Sequence, residues 1–223
     1  MIMKLTQEKI SMFRLLTKEW GETNVVDYPW RNISDPYLVL MSEFLLHRTQ
    51  TDQVLPIYLT MIKYFPDLKS FYNAPPDDIR VIMKPLGLSW RCNCMIEAFH
   101  ILYETYGMIP LVVTDLLAIK GIGPYVANAT VCFSINSPLP LVDTNIVRVV
   151  GRFVGLELSG EPRRRKETRI TIESIVDPLD PRSFYYSVID FAHQVCKSRK
   201  PYCEFCEFAK IGCVYRERFL YTL

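Results

Sequence analysis

Glycine is scarce in this sequence, with 9 residues in 223 beside 15 prolines. That excludes a collagen-like repeat and any long low-complexity linker. Charge of one sign is scarce as well. The 26 Lys and Arg against 24 Asp and Glu leave a net charge of +2. Bulk charge therefore demands no nucleic-acid partner, and such a partner would need clustered cations. No apolar run is long enough to span a bilayer, since Tyr37 to Leu46 is interrupted by Glu43. The opening MIMKLTQEKISMFRLL lacks a secretory apolar core with a small-residue cleavage site. A cytoplasmic protein with no membrane association is expected. Alternating strand patterns and fixed-period repeats are also missing. What is present is ordinary globular composition, 49% apolar and 22% charged.

Helical periodicity dominates. Residues 6–20 place Ile10, Phe13, Leu16 and Trp20 on one face. Asp35-Pro36 is a helix start, with a capping carboxylate and proline in the first turn. Further helices are expected from Thr51 or Asp52 to near Phe65, over 77–84, over 91–106, from a Thr114 cap to Gly121, and from Pro124 to near Asn136. Asp143 to Asn145 precede a helix over 146–154 that Gly155 stops, and Asp180-Pro181 begins a last long one. The reading is an all-α protein of nine or ten helices.

Four features carry chemistry. In LAIKGIGPYVANA (117–129), a helix ends, Gly121 and Gly123 flank Ile122, and Pro124 restarts a helix. Such a turn brings backbone close to a ligand and offers helix N-terminal amides to a phosphate, or it is a plain helix–helix turn. Asp143 stands just before a helix, where capping amides and the helix dipole favour its anion. Glu43 is an acid within an otherwise apolar helix, a functional acid or a core acid bonded to backbone. One carboxylate kept charged and one able to hold a proton form the pair that acid–base chemistry needs. Cys196, Cys203, Cys206 and Cys213 form C-x6-C-x2-C-x6-C, a pattern for a 4Fe-4S cluster or zinc in a reducing compartment. Lys197, Arg199 and Lys200 lie between the first two of these and suit phosphates. A second basic run, Arg163 to Lys166 with Arg169, is diluted by Glu161 and Glu167 and reads as a solvated face. Cys92, Cys94 and Cys132 read as core thiols.

Together these features resemble the helix-hairpin-helix DNA glycosylases of the endonuclease III superfamily. The segments that carry the resemblance are YPWRNISDPYLVLMSEFLLHRTQT, GLSWRCN, IKGIGPYVANATVCFSI with VDTNIVRV, and the four-cysteine loop. They occur in the family's order over roughly residues 8–215. The resemblance implies two helical domains flanking a DNA-binding cleft. One is a six-helix barrel with the hairpin, over 24–137. The other is an iron–sulfur cluster domain made of 1–23 and 138–223. It implies a structural 4Fe-4S cluster on the four cysteines, a monomer, double-stranded DNA with a mismatched base as partner, and a flipped nucleotide. It also assigns Asp143, Glu43 and Tyr125 as catalytic residues. DNA contacts fall to Lys120, Gly121, Ile122 and Gly123 of the hairpin, to Arg48 and Leu88 as wedges, and to the Lys197, Arg199 and Lys200 loop.

Bifunctional members carry a lysine where this chain has Tyr125. A phenol forms no imine, so a monofunctional glycosylase with weak or no lyase activity is expected. His47-Arg48-Thr49 and VDTN resemble the branch that removes thymine or uracil opposite guanine. The alternative is adenine opposite guanine or 8-oxoguanine, but the sequence stops at Leu223 without the C-terminal domain usual in that branch. A DNA-binding protein that lost catalysis and a zinc-stapled helical protein are the readings from other classes. The last cysteine gap is six where five is usual, and Lys120 replaces a common proline.

Overall fold

The computed structural model describes residues 5–87 and 89–220, and within them it contains helices and no strand. Contacts divide the chain into two units, Asp27–Ile135 and a second made of Met1–Val26 with Asn136–Leu223.

The Asp27–Ile135 unit is organised around α2 (Pro36–Leu46). The Asp35 carboxylate caps it, accepting from the amides of Tyr37 at 2.8 Å and Leu38 at 3.2 Å. Of the nine consecutive positions 37–45, all but Leu38 are buried, so α2 is wrapped on all sides. Its neighbours are α3 (Thr51–Tyr64), α6 (Ser89–Tyr106) and α8 (Pro124–Ile135). Tyr37 donates its hydroxyl to the Phe65 carbonyl at 2.8 Å and meets Phe99 edge-on at 5.4 Å. Burial carries the phenol of Tyr58 up to about 12, consistent with its place against Trp30. Two short helices complete the unit's middle. The first, α4 (Leu68–Tyr72), opens on a capping box between Asp67 and Ser70, and α5 (Pro76–Met83) follows. Next to the hairpin turn lies α7 (Val113–Leu117).

In the other unit, α1 (Gln7–Asn24) lies against α11 (Pro181–Gln194), and α11 against α9 (Thr144–Val154). Phe13 is the centre. Its ring stacks on Phe208 at 4.4 Å and tilts against Phe153 at 4.9 Å. Arg14 donates to the carbonyls of Ser174 and Ile175, both at 3.1 Å, tying α1 to the end of α10 (Lys166–Ile175). Two short helices, α12 (Glu207–Lys210) and α13 (Val214–Leu220), follow α11.

Thirteen α-helices are present among the described residues, against nine or ten expected. The surplus consists of α4, α10, α12 and α13. The first and the last two are too short to show a period. For α10, arginines mask the helical spacing of Thr168, Ile172 and Ile175, which are its buried positions. Thr114 is not a cap, because α7 starts at Val113 after an uncapped Val112.

Candidate active site

The hairpin needs its two glycines for different reasons. Gly121 has φ +95°, and a Cβ there would stand 3.4 Å from the Cβ of Cys94. The positive φ reserves it for glycine, while the Cβ contact itself would be ordinary. Gly123 shows neither, since nothing lies within 4 Å of where its Cβ would be. Its bareness serves no internal contact and leaves the backbone approachable from outside. Ile122 is buried between them, and its amide donates to the Ile119 carbonyl at 3.1 Å, which pins the turn inward. Tyr125 is half-buried in the first turn of α8. Lys120 is exposed but bonds both carboxylate oxygens of Glu97 on α6, at 3.1 and 3.3 Å. An exposed pair of this kind is worth about 0–1 kcal/mol, so it yields readily to a phosphate.

Glu43 is 7% exposed, on the wrapped helix α2. Asp143 is the N-cap of α9. Its Oδ1 accepts from the amides of Asn145 at 2.5 Å and Ile146 at 3.2 Å, while Oδ2 takes no hydrogen bond among the described residues. The cap fixes the side chain and leaves one oxygen of a half-buried carboxylate available. Asn145 accepts from Arg148 Nη2 at 3.0 Å, and Arg148 donates on to the carbonyls of Cys196 at 2.8 Å and Ala192 at 2.9 Å. One turn further along α9, Arg152 donates to the carbonyls of Lys197 at 2.7 Å and Ser198 at 3.0 Å, and to Cys196 Sγ at 3.4 Å. Its guanidinium lies 4.5 Å from the centre of the Tyr215 ring. Sequence reasoning missed Arg148, Arg152 and Glu97. The spacing of the two arginines, on successive turns behind Asp143, was the available signal.

Cys196, Cys203, Cys206 and Cys213 line one cavity, and none forms a disulfide. Among the described residues, no group of three or more His, Cys, Asp or Glu is drawn together tightly enough for a single metal ion. A tetrahedral zinc site brings its sulfurs within about 4 Å of one another, given Zn–S near 2.3 Å. A 4Fe-4S cube holds four thiolates at the corners of a larger body. Sulfurs arranged around a shared cavity, with a guanidinium donating to one of them, fit such an anionic group. Burial pushes the thiols of Cys203 and Cys213 up, and that of Cys206 to about 11. Of the loop cations, Lys197 is half-buried, with Nζ 3.3 Å from the Tyr202 hydroxyl and over its ring at 4.5 Å. Arg199 and Lys200 are exposed. Cys92 and Cys132 are buried as core thiols, whereas Cys94 is half-buried beneath Gly121. In the basic run, Arg165 is a brace rather than a free cation, donating to the carbonyls of Glu157 at 2.6 Å and Ser159 at 2.8 Å.

Of the two expected wedges, the structure describes one. Arg48 is exposed, with φ +59°. Leu88 falls outside the described residues. Trp90, 49% exposed, meets the His47 ring edge-on at 5.9 Å. Missed altogether was Arg91, only 1% exposed, which lies behind the Arg48 turn.

Residues 41–178 match the model of the HhH-GPD superfamily base excision DNA repair proteins. The chain is 34% identical to a thymine-DNA glycosylase of Aeropyrum pernix, over 95% of this chain and 97% of that one. It is 31% identical to a thymine/uracil-DNA glycosylase of Pyrobaculum aerophilum, over 90% and 88%. A solved thermostable thymine-DNA glycosylase superposes with a TM-score of 0.89 at 29% identity, covering 96% of this chain and all of that one. With its hairpin, its capped aspartate and this end-to-end likeness, the chain belongs to the HhH-GPD superfamily of base excision DNA repair proteins.

Proposed function

We propose that this chain is a monofunctional DNA glycosylase that removes thymine or uracil mispaired with guanine in duplex DNA. The observation that carries the reading is the near-full-length likeness to relatives named for thymine and uracil. The chemistry follows from the residues. Hydrolysis breaks the bond between C1′ and the base nitrogen, whose electron pair leaves with the base, while a water oxygen bonds to C1′. Asp143 Oδ2, unengaged by its cap, offsets the positive charge growing at C1′ and takes the proton of the attacking water. Glu43, a buried acid, serves the departing base as proton donor, directly or through water. Tyr125 lines the pocket and orients the extruded nucleotide, and having no amine it leaves the sugar unattacked. Lys120, the one amine in the hairpin, is held by Glu97.

DNA binding falls to the bare backbone of Gly121 to Gly123, with Ile122 as the plug that holds the turn, and to Lys120, Arg199 and Lys200 at phosphates, with Lys197 set back against Tyr202. Arg48 reads the orphan guanine and Leu88 fills the vacated stack. Cys196, Cys203, Cys206 and Cys213 would hold a 4Fe-4S cluster, which when bound supplies a rigid anionic anchor for that basic loop. The protein works as a monomer on chromosomal DNA.

Single-turnover cleavage of matched duplexes with G·T, G·U, G·A, 8-oxoguanine·A and A·T, with and without alkali, tests this. Strand breaks at G·T and G·U only after alkali are expected. Release of adenine would move the chain to the other branch, and breaks without alkali would overturn the role given to Tyr125.

A further inference from the structure

Arg91 is the largest fully buried side chain described, and no carboxylate answers it. Its Nη1 donates to the carbonyls of Leu45, at 3.2 Å, and His47, and to Thr49 Oγ1 at 2.7 Å. Its Nη2 reaches the Leu86 carbonyl at 3.5 Å. Three of the four acceptors lie together. Leu45 and His47 belong to the end of α2, where helical carbonyls run out of amide partners and the dipole is negative. Thr49 is the next residue but one, and Leu86 lies two residues before Leu88. Burial pulls the guanidinium below the usual arginine range, and backbone carbonyls with one hydroxyl oxygen are its acceptors. A well-packed apolar side chain would fill the same volume without that desolvation. What an apolar side chain could not do is collect three oxygens around one turn.

That turn, 47–50, holds Arg48 in the left-handed region, which a residue with a Cβ occupies only when its neighbours over-determine it. The Thr49 amide donates to the Leu46 carbonyl at 3.2 Å, and Trp90, adjacent to Arg91, meets His47 from the side. We infer that Arg91 is a positioning residue: it fixes the 47–50 turn so that the Arg48 guanidinium is presented to the strand opposite the extruded base. The functional half of this inference rests on the reading of Arg48 given above. Lysine at 91 keeps the charge, but its ammonium ends one bond short of Nη1, so it cannot reach the three acceptors that Nη1 holds.

The test compares Arg91→Lys, Arg48→Ala and the double variant in the intact protein. It reads amide hydrogen exchange over residues 47–50 and single-turnover rates on G·T and A·T duplexes. Arg91→Lys is expected to raise exchange at 47–50 while exchange in α8 stays as in the parent. It is expected to cut the preference for G·T by about tenfold, the low end of what a bidentate guanine contact discriminates. Arg48→Ala is expected to cut it as far, and the double variant no further. Unchanged exchange at 47–50 in Arg91→Lys overturns the inference, and so does a further loss of preference when Arg91→Lys is added to Arg48→Ala. A rate loss in Arg91→Lys that is equal on both duplexes also overturns it, because it marks Arg91 as a support of the whole unit. An Arg48→Ala protein that keeps full preference overturns the reading of Arg48 instead, and the exchange data then decide the positioning role alone.

Discussion

The two units use the same device at different depths. In Asp27–Ile135 one guanidinium, Arg91, is sealed in the interior and gathers the carbonyls of a helix end. In the other unit two half-buried guanidiniums, Arg148 and Arg152, reach from successive turns of α9 to the carbonyls of 192–198. Each set braces a segment that the sequence alone would leave as loop, 47–50 in one case and the cysteine loop in the other. The difference lies in what replaces the brace if it is lost. Water can reach the carbonyls of Lys197 and Ser198, but it does not reach that of Leu45. Depth should therefore set the cost of each deletion.

The sharpest break concerns chemistry rather than stability. Asp143→Asn keeps a capping side chain and loses the charge, so single-turnover release of thymine should fall about 10²–10⁴-fold while affinity for product DNA stays within about threefold of the parent. A rate within tenfold of the parent would remove Asp143 from the reaction. Next comes Arg91→Met, which strands buried carbonyls and should cost about 3–5 kcal/mol in urea unfolding. Arg152→Ala should cost less, about 1–3 kcal/mol, because its oxygens regain solvent. Equal losses for the two would break the comparison.

A smaller effect sits at the Asp67–Ser70 capping box. Hydrogen bonds from Ser70 hold the Asp67 carboxyl below the usual range. A carboxyl depressed in the folded state contributes stability above its unfolded value and loses it as pH falls through the folded one. Asp67→Ala should therefore cost about 1 kcal/mol at pH 7 and progressively less in acid. Smallest of all, Lys120→Ala should leave stability within about 0.5 kcal/mol and lower the salt dependence of DNA binding by about one ion.

Much of this architecture is legible in the sequence wherever one residue type has one physical reason to be there. Asp35-Pro36 and Asp143 announce α2 and α9, Gly155 ends α9 with φ +82°, and the hairpin follows from Gly121 and Pro124. Long-range partners of cations are not legible. Arg91 sits in GLSWRCN like any surface arginine, and periodicity treats a charged residue as outward-facing. Only the fold reveals that α2 ends against it. The Lys120–Glu97 pair was not legible either, because Glu97 is distant in sequence and adjacent in space. In the basic run at 163–169, charge hid the helix α10.

Trp90 gives the Arg48 turn an optical voice. Of the three tryptophans, Trp30 is buried and Trp20 is partly covered against Phe191, so Trp90 is the one a dissolved quencher meets most readily. Its indole meets the His47 ring edge-on at 5.9 Å. The unlabelled protein thus carries a reporter at that turn. Its emission would report any covering of that turn by DNA in real time, against the steadier background of the buried Trp30.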